Sequence, residues 1–543
     1  MKSSIHDLVI VGAGSAGCVL AHRLSSEQAT SVLLLEAGGP TTGVFKDMPI
    51  AFPRYVLRRD LNWNFQSEPE PYADNRVIEV PRGKALGGCS AIYGMVYARG
   101  HRLDYDDWAR AGLIGWRYAD VLPYFRLSER SWLGEGKFHG GNGPLEVCIP
   151  QDNLMYEELR TATLAAGFPV TDDFHGANSE GLQRNEMVVT RGRRGNVART
   201  FLRPAMHRSN LVVESRAQAT RVVFEGTRAV GVEYLKDGQV HVARARQEVI
   251  LSAGTYGSPQ LLMLSGIGPA AELSKHGIKP LVDLSGVGQN LIEHPFLPMA
   301  WRALPETFEC AMRADRAAVS VMRWALFGTG IFATNGAAGS LFLRTAPGLD
   351  RPDFQLICPA VQISAGNVWY PFISKPAHTM VCALSMIRQD SRGHVALRSA
   401  NPLDPPRIQF NLFQEQSDVE RMIRGIRAAR AIYGSAPLSR FHAEELSPGD
   451  GVQSDAELKK FVRSVGAITQ HPVGTCRMGT DSDAGAVVDA ELRVRGAQSL
   501  RVIDASVMPN IPAGNTNAPT IMIAEKGADA LRGRRLPAAE GIS

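Results

Sequence analysis

Between residues 7 and 36 the chain reads as an apolar strand, a glycine turn, a helix, a second apolar strand and an acidic residue. The turn is Gly12-Ala13-Gly14-Ser15-Ala16-Gly17, and Glu36 closes the unit 19 residues after Gly17. Each part has a physical task. Gly12 permits the tight turn, Gly14 lets backbone approach a pyrophosphate, and Gly17 lets the helix pack closely on the sheet. The helix start offers free N–H groups and partial positive charge to a phosphate, and Glu36 is placed to accept hydrogen bonds from a ribose hydroxyl. The pattern predicts a dinucleotide-binding βαβ unit, and does not by itself separate FAD from NAD.

At 543 residues the chain is long enough for two to four folding units at a prior of roughly 150 residues each. Short apolar runs such as Leu8 to Val11, Val32 to Leu35 and Glu248 to Leu251 recur beside glycine turns, with helical patterns between them, so an α/β fold with a partly parallel sheet is expected. Residues from about 301 to 464 lack glycine fingerprints and carry strand-like segments such as Asp353 to Ile357 and Val395 to Arg398. They are assigned largely to a substrate domain.

Composition excludes several classes. A net charge of +5 is small against 59 basic and 54 acidic side chains, so no nucleic-acid partner is expected. The seven cysteines, Cys18, Cys89, Cys148, Cys310, Cys358, Cys382 and Cys476, are scattered without CxxC spacing, which predicts neither a disulfide framework nor a metal site and favours a reducing compartment. The N-terminal residues enter a strand without a basic-then-apolar leader, which argues against a signal peptide. No run approaches the roughly 20 apolar residues needed to cross a bilayer. A cytoplasmic location is expected, with peripheral attachment to an inner membrane left open.

Two longer segments point further. Pro81-Arg82-Gly83-Lys84-Ala85-Leu86-Gly87-Gly88-Cys89-Ser90-Ala91-Ile92-Tyr93-Gly94-Met95-Val96-Tyr97 closely resembles the first signature of the glucose-methanol-choline oxidoreductases, and Gly254-Thr255-Tyr256-Gly257-Ser258-Pro259-Gln260-Leu261-Leu262-Met263-Leu264-Ser265-Gly266-Ile267-Gly268 fits the second. The likeness continues through Gly286 to Leu291, Ser391-Arg392-Gly393, His471-Pro472-Val473-Gly474-Thr475 and Gly514 to Thr520. It implies an α/β (α+β overall) protein with a Rossmann-like FAD-binding domain and a substrate domain built on an antiparallel sheet with flanking helices. The expected division is 1–150, 197–300 and 465–543 for FAD, and 151–196 and 301–464 for substrate, with family modules at about 5–300 and 388–530.

The resemblance implies FAD contacts from Gly12, Gly14, Ser15, Ala16, Gly17, Glu36, Ala37, Trp63, Arg82, Gly83, Leu86, Gly87, Gly88, Ser90, Tyr93, Gly94, Met95, Val96, Ala219, Ala253, Asp504, Ala505, Asn515, Asn517, Pro519 and Thr520. Some relatives tether the flavin through a histidine where this chain has Ile92, which has no nucleophile, so noncovalent FAD is expected. Tyr93 stands where asparagine or histidine is common, and is expected to pack, to shape the substrate pocket or to hydrogen-bond the flavin.

Alcohol oxidation by a flavin removes a hydride from carbon and a proton from oxygen, so the protein must supply orientation and a base. Of the 13 histidines, His471 alone stands in the His-Pro-Val-Gly-Thr context; His294, His394 and His442 do not. The resemblance implies that His471 is the base. The partner position, some forty residues later, is assigned to Asn517 by counting back from Ile521, with Asn515 as its competitor. A bare reading of both asparagines is that they satisfy loop backbone before a helix. The helix start at Asn517 to Thr520 is also expected to point N–H groups at the flavin's pyrimidine end.

The expected activity is FAD-dependent oxidation of an alcohol, primary by preference, to an aldehyde, with electrons passed to oxygen, a quinone or another acceptor. A flavin-containing lyase and a photodecarboxylase are the alternatives on the same fold. A choline substrate would need an aromatic cage or a carboxylate; Tyr97, Trp301, Phe332 and Trp369 are candidate wall residues, each equally explained by core packing.

Overall fold

A computed structural model describes residues 3–150, 155–304, 314–359 and 378–542. The N-terminal unit folds as its pattern dictates. Strand β1 (Ser3–Val11) leads through the glycine turn into helix α1 (Ser15–Leu24) and then strand β2 (Val32–Glu36). The two strands are parallel, with Leu8 opposite Val32 and Val11 opposite Leu35. All five residues of β2 are buried, which is why it reads as a continuous apolar run rather than an alternation.

Strand β3 (Gln239–Leu251) pairs parallel with the other side of β1. The first sheet then runs Leu211–Ser215, β2, β1, β3, Arg228–Lys236, Ala217–Glu225, with Leu500–Val502 alongside β3. It is parallel around β1 and antiparallel at the Ala217–Lys236 hairpin edge. Helices α1, α2 (Gly254–Leu264) and α3 (Asn517–Leu531) carry the chain to and from the sheet's carboxyl edge.

The second sheet is antiparallel. Its order is His442–Ser447, β4 (Pro295–Ala303), β6 (Thr379–Met386), β5 (Phe354–Pro359), Ala337–Leu343, Gly181–Arg184, with Ala467–Ile468 pairing β4. The strands Pro295–Ala303 and Ala467–Ile468 therefore carry this sheet beyond residues 301 and 464, the expected bounds of the longer substrate segment. Alternation along β4 sends Leu297, Met299 and Trp301 into a core shared with the helix Gln416–Gly434. Trp301 stacks on Tyr433 at 4.0 Å between ring centroids. Phe296 and Pro298 lie on the opposite face, towards the first sheet.

The packing also places the expected wall residues. Trp301 faces the helix layer. Tyr97 is buried and donates to the Glu129 carboxylate at 2.6 Å, and Phe332 sits in a separate cluster with Met48, Tyr55 and Trp324. Core packing accounts for all three, and Trp369, like Cys310, lies outside the described residues. The six described cysteines are free thiols, and among the described residues no group of His, Cys, Asp and Glu is arranged to hold a metal and no helix is long and apolar enough to cross a membrane.

Candidate active site

A cavity of about 970 Å³ lies between the two sheets, at the upper end of the range of roughly 300–1,000 Å³ usual for ligand sites. One end is backbone. Gly12, Gly14, Ser15 and Ala16 form its wall beside the start of α1, and Gly83, Gly88 and Ser90 approach from the opposite side. A Cβ on Gly17 would collide with the Gly12 carbonyl, and one on Gly88, whose φ is +52°, would stand 2.7 Å from Gly14 Cα. Backbone therefore meets backbone under the cavity, and only glycine allows it. Neither α1 nor α3 has a side-chain cap at its N-terminus, so both leave N–H groups free where they border the cavity.

Glu36 ends β2 at this wall. Its carboxylate accepts the N–H groups of Ala13 and Gly38, each at 2.8 Å, and burial raises its pKa to about 7. Nearby, Ala217, Gln218 and Ala219 line the cavity with Asp404 and Gln260. Lys84 Nζ lies 4.4 Å from the Trp63 ring centroid. In the middle, Asp504 spends its oxygens inside the protein, accepting Gly254 N–H at 2.9 Å and Ser258 Oγ–H at 2.6 Å, and Ser506 N–H at 2.8 Å. It thereby joins the start of α2 to the strand ending at Val502, with Ala505 beside it on the wall.

The expected base also lines the cavity. His471 follows the Ala467–Ile468 strand, and its backbone N–H donates to Glu293 Oε1 at 2.7 Å. Its Nε2 lies 3.0 Å from Asn515 Nδ2, and its Nδ1 lies 3.3 Å from His294 Nδ1. Gln355 Nε2, from β5, donates to Asn515 Oδ1 at 3.3 Å. With its oxygen so engaged, Asn515 turns its amide hydrogens to His471, whose Nε2 must accept and whose Nδ1 carries the proton. Burial, reinforced by the Arg82 charge, pushes the His471 pKa down to about 3, so the ring is neutral at pH 7. Burial and the neighbouring His471 hold His294 well below its ordinary range, and burial raises Glu293 to about 7.

The register expectation for the partner needs correction. Asn515 faces His471, while the Asn517 side chain accepts Ser15 Oγ–H at 2.6 Å, joining the start of α3 to that of α1. Counting back from the helix missed the offset because the two asparagines, with only Thr516 between them, send their side chains to different partners. His294 was also set aside, although the Gly286 to Leu291 motif delivers it directly beside His471. Gln355 left no signal in its own segment, since an inward polar residue on a strand is recognisable only once its partner is placed.

Of the expected cofactor contacts, Gly17, Leu86, Gly87 and Pro519 do not line the cavity; Gly17 serves helix packing, Leu86 packs on the first core, and Pro519 is buried within α3. Ala37, Arg82, Met95, Val96, Ala253, Thr520 and the remaining expected residues do line it. Tyr93 and Gly94 are on the wall, and the Tyr93 hydroxyl donates to Gly195 O at 3.0 Å. A cradle of glycine backbone and uncapped helix starts leading to a neutral histidine fits a flavin dinucleotide, with the glycine turns for its pyrophosphate and the His471 end for its ring.

The family models for GMC oxidoreductases match residues 6–296 and 389–524. The mitochondrial choline dehydrogenase of Mus musculus is 42% identical over 541 residues, covering 97% of this chain and 89% of that protein. The oxygen-dependent choline dehydrogenase of Brucella anthropi is 41% identical over 530 residues, covering 97% and 96%. Among solved structures, pyridoxine 4-oxidase from Mesorbium loti superposes with a TM-score of 0.87 at 29% identity, covering 98% of this chain and 100% of that one. Formate oxidase from Aspergillus oryzae RIB40 gives 0.90 at 26%, covering 98% of each.

Proposed function

The chain belongs to the GMC oxidoreductase family, FAD-dependent enzymes acting on CH–OH groups, and from that premise we propose that it oxidises a primary alcohol to an aldehyde with His471 as the base and Asn515 as its partner. The carrying observation is the 3.0 Å approach of Asn515 Nδ2 to His471 Nε2 on the wall of the cavity. An alcohol oxygen that displaces this direct hydrogen bond receives the amide N–H of Asn515 and delivers its proton to the freed Nε2 lone pair. His471 is suited to that step because it is neutral, and because its other nitrogen is already engaged with His294. Asn515 cannot take the proton, but its hydrogen bond strengthens as negative charge develops on the oxygen.

Bound FAD supplies the two-electron acceptor for the hydrogen on the alcohol carbon. The chain holds it noncovalently, since Ile92 lines the cavity where a tethering side chain would stand and has no nucleophilic atom. Reoxidation passes electrons to oxygen or to a quinone.

The test is anaerobic flavin absorbance after mixing the purified holoenzyme, in the dark, with aliphatic, benzylic, furanic, sugar and choline-type alcohols. Bleaching by at least one class is expected, and admitting air then separates oxidase from dehydrogenase. A flavin that no alcohol bleaches overturns the proposal and favours lyase or photochemical turnover.

A further inference from the structure

His471 is displayed by an interruption in strand pairing. Ile292 and Val473 exchange backbone hydrogen bonds of 3.0 Å each, and Pro295 and Phe296 of β4 pair with Ile468 and Ala467. Between these two anchors one side has only Glu293 and His294, while the other runs from Thr469 to Pro472. The longer side turns at Gln470, whose φ is +69°, and His471 follows it on the cavity wall. A single carboxylate oxygen fills the gap. Glu293 Oε1 accepts the backbone N–H of His294 at 2.9 Å, that of His471 at 2.7 Å and the Thr469 hydroxyl at 3.3 Å. Because it bridges both backbones, it fixes their separation and with it the approach of the two rings.

The rings of His294 and His471 stand edge to face, with centroids 5.5 Å apart at 85° and Nδ1 against Nδ1 at 3.3 Å. Among the described residues His294 Nε2 has no partner, so the one polar contact of that ring is the base. The contact has a direction. Asn515, oriented by Gln355, donates to His471 Nε2, so the hydrogen between the two Nδ1 atoms belongs to His471, and His294 must offer a lone pair to accept it. Burial and the neighbouring His471 hold the His294 pKa well below its ordinary value, which keeps that lone pair free of a proton at pH 7.

Resting on the reading of His471 as the base, we propose that His294 is a positioning residue that selects the tautomer of the base: by accepting the Nδ1–H it holds the His471 lone pair at Nε2, where the alcohol delivers its proton. In the other tautomer the hydrogen sits on Nε2, and His471 has no lone pair there to offer. When the alcohol proton moves from oxygen to Nε2, His471 becomes an imidazolium, and its Nδ1–H bond to His294 strengthens because the donor now carries charge. The transferred proton stays on His471, and His294 neither gains nor loses one in this step.

The test is a pair of substitutions, His294→Leu and His294→Asn, with the first also combined with His471→Ala. Leucine keeps the bulk and the backbone N–H but has no acceptor, whereas asparagine can place its amide oxygen where Nδ1 stands. Each holoenzyme is mixed anaerobically, in the dark, with the alcohol of the panel above that bleaches the wild-type flavin fastest. A concentration series gives the rate of flavin reduction, kred, and the alcohol Kd. Rates are taken per bound flavin, so a variant that loads FAD poorly is still read. His294→Leu is expected to lower kred by about 10- to 100-fold, as for a lost hydrogen bond to a group that becomes charged, with Kd within about twofold; His294→Asn should recover most of that loss. On top of His471→Ala, His294→Leu should cost no more than about twofold further, since the residue it positions is gone. A wild-type kred in His294→Leu, equal losses in the leucine and asparagine variants, or a full further loss in the double variant overturns the inference, while a slow His471→Ala keeps the base assignment standing. An unimpaired His471→Ala, or a wild-type flavin that no alcohol bleaches, overturns the reading on which the inference rests.

Discussion

The two walls of the cavity are made from different materials. The cofactor wall is main chain: the Gly12–Ala16 turn, the Gly83–Ser90 loop and two uncapped helix starts, brought within a few ångströms by glycines whose missing Cβ atoms leave the room. The substrate wall is side chain, a face of Phe296, Pro298, Ile357, Val381 and Ala383 drawn from strands far apart in sequence. A backbone wall recognises what every dinucleotide shares, phosphate and ribose, and tolerates little change. A side-chain wall recognises shape and polarity, and can be altered residue by residue without moving the strands. The proposed catalytic pair sits at the junction, with His471 on the segment after the Ala467–Ile468 strand and Asn515 tied to the second sheet through Gln355.

Substitutions can break this division. The largest effect is expected at the junction: His471→Ala should keep FAD yet lose about 100- to 10,000-fold in the rate of flavin reduction, measured by anaerobic stopped-flow absorbance. An unimpaired rate would remove His471 from the role. Gly17→Val, behind the backbone wall, should abolish FAD retention, since its side chain would strike the Gly12 carbonyl and displace the turn; the ratio of flavin to protein after gel filtration reports it. Asn515→Ala should slow flavin reduction by about 10- to 100-fold, as for a lost hydrogen bond of about 1–3 kcal/mol, with FAD content unchanged. Asn517→Ala should do the reverse, weakening FAD retention at the Ser15 turn and leaving the rate of the loaded enzyme within a fewfold. If Asn517→Ala gives the larger rate loss, the assignment of the partner is reversed.

The pH profile sharpens the same comparison. The base acts when neutral, so the rate falls as pH drops through the His471 pKa; with that pKa pushed down to about 3 by burial and Arg82, flavin reduction should show no histidine limb near 6.5 and stay level to about pH 5. A limb at the ordinary histidine value would mean that water reaches the ring. The effect on the wall of the second sheet is one of selectivity. Ile357→Ala should shift the preference among alcohols by about 10- to 200-fold at most, as for methylene-sized changes in an apolar pocket, and should leave FAD content and the His471 pH profile unchanged.

What the sequence determined by itself lies mainly on the backbone wall. Local spacing specifies a glycine turn, because the chemistry it serves is performed by atoms within one short segment; Gly12 to Glu36 is legible for that reason, and so is the parallel pairing of the two apolar runs around it. His471 is legible through its five-residue context. Tertiary structure decided what depends on distant segments meeting. It placed Asn515 rather than Asn517 beside His471, and the spacing of the two residues cannot say which of them meets it. It set His294 against His471 across a sequence separation of 177, and it turned Trp301 into the helix layer while leaving Phe296 on the cavity wall. The identity of the pocket floor follows from the register of β4, β5 and β6, and a shift of one residue in any of them would exchange the floor for the core.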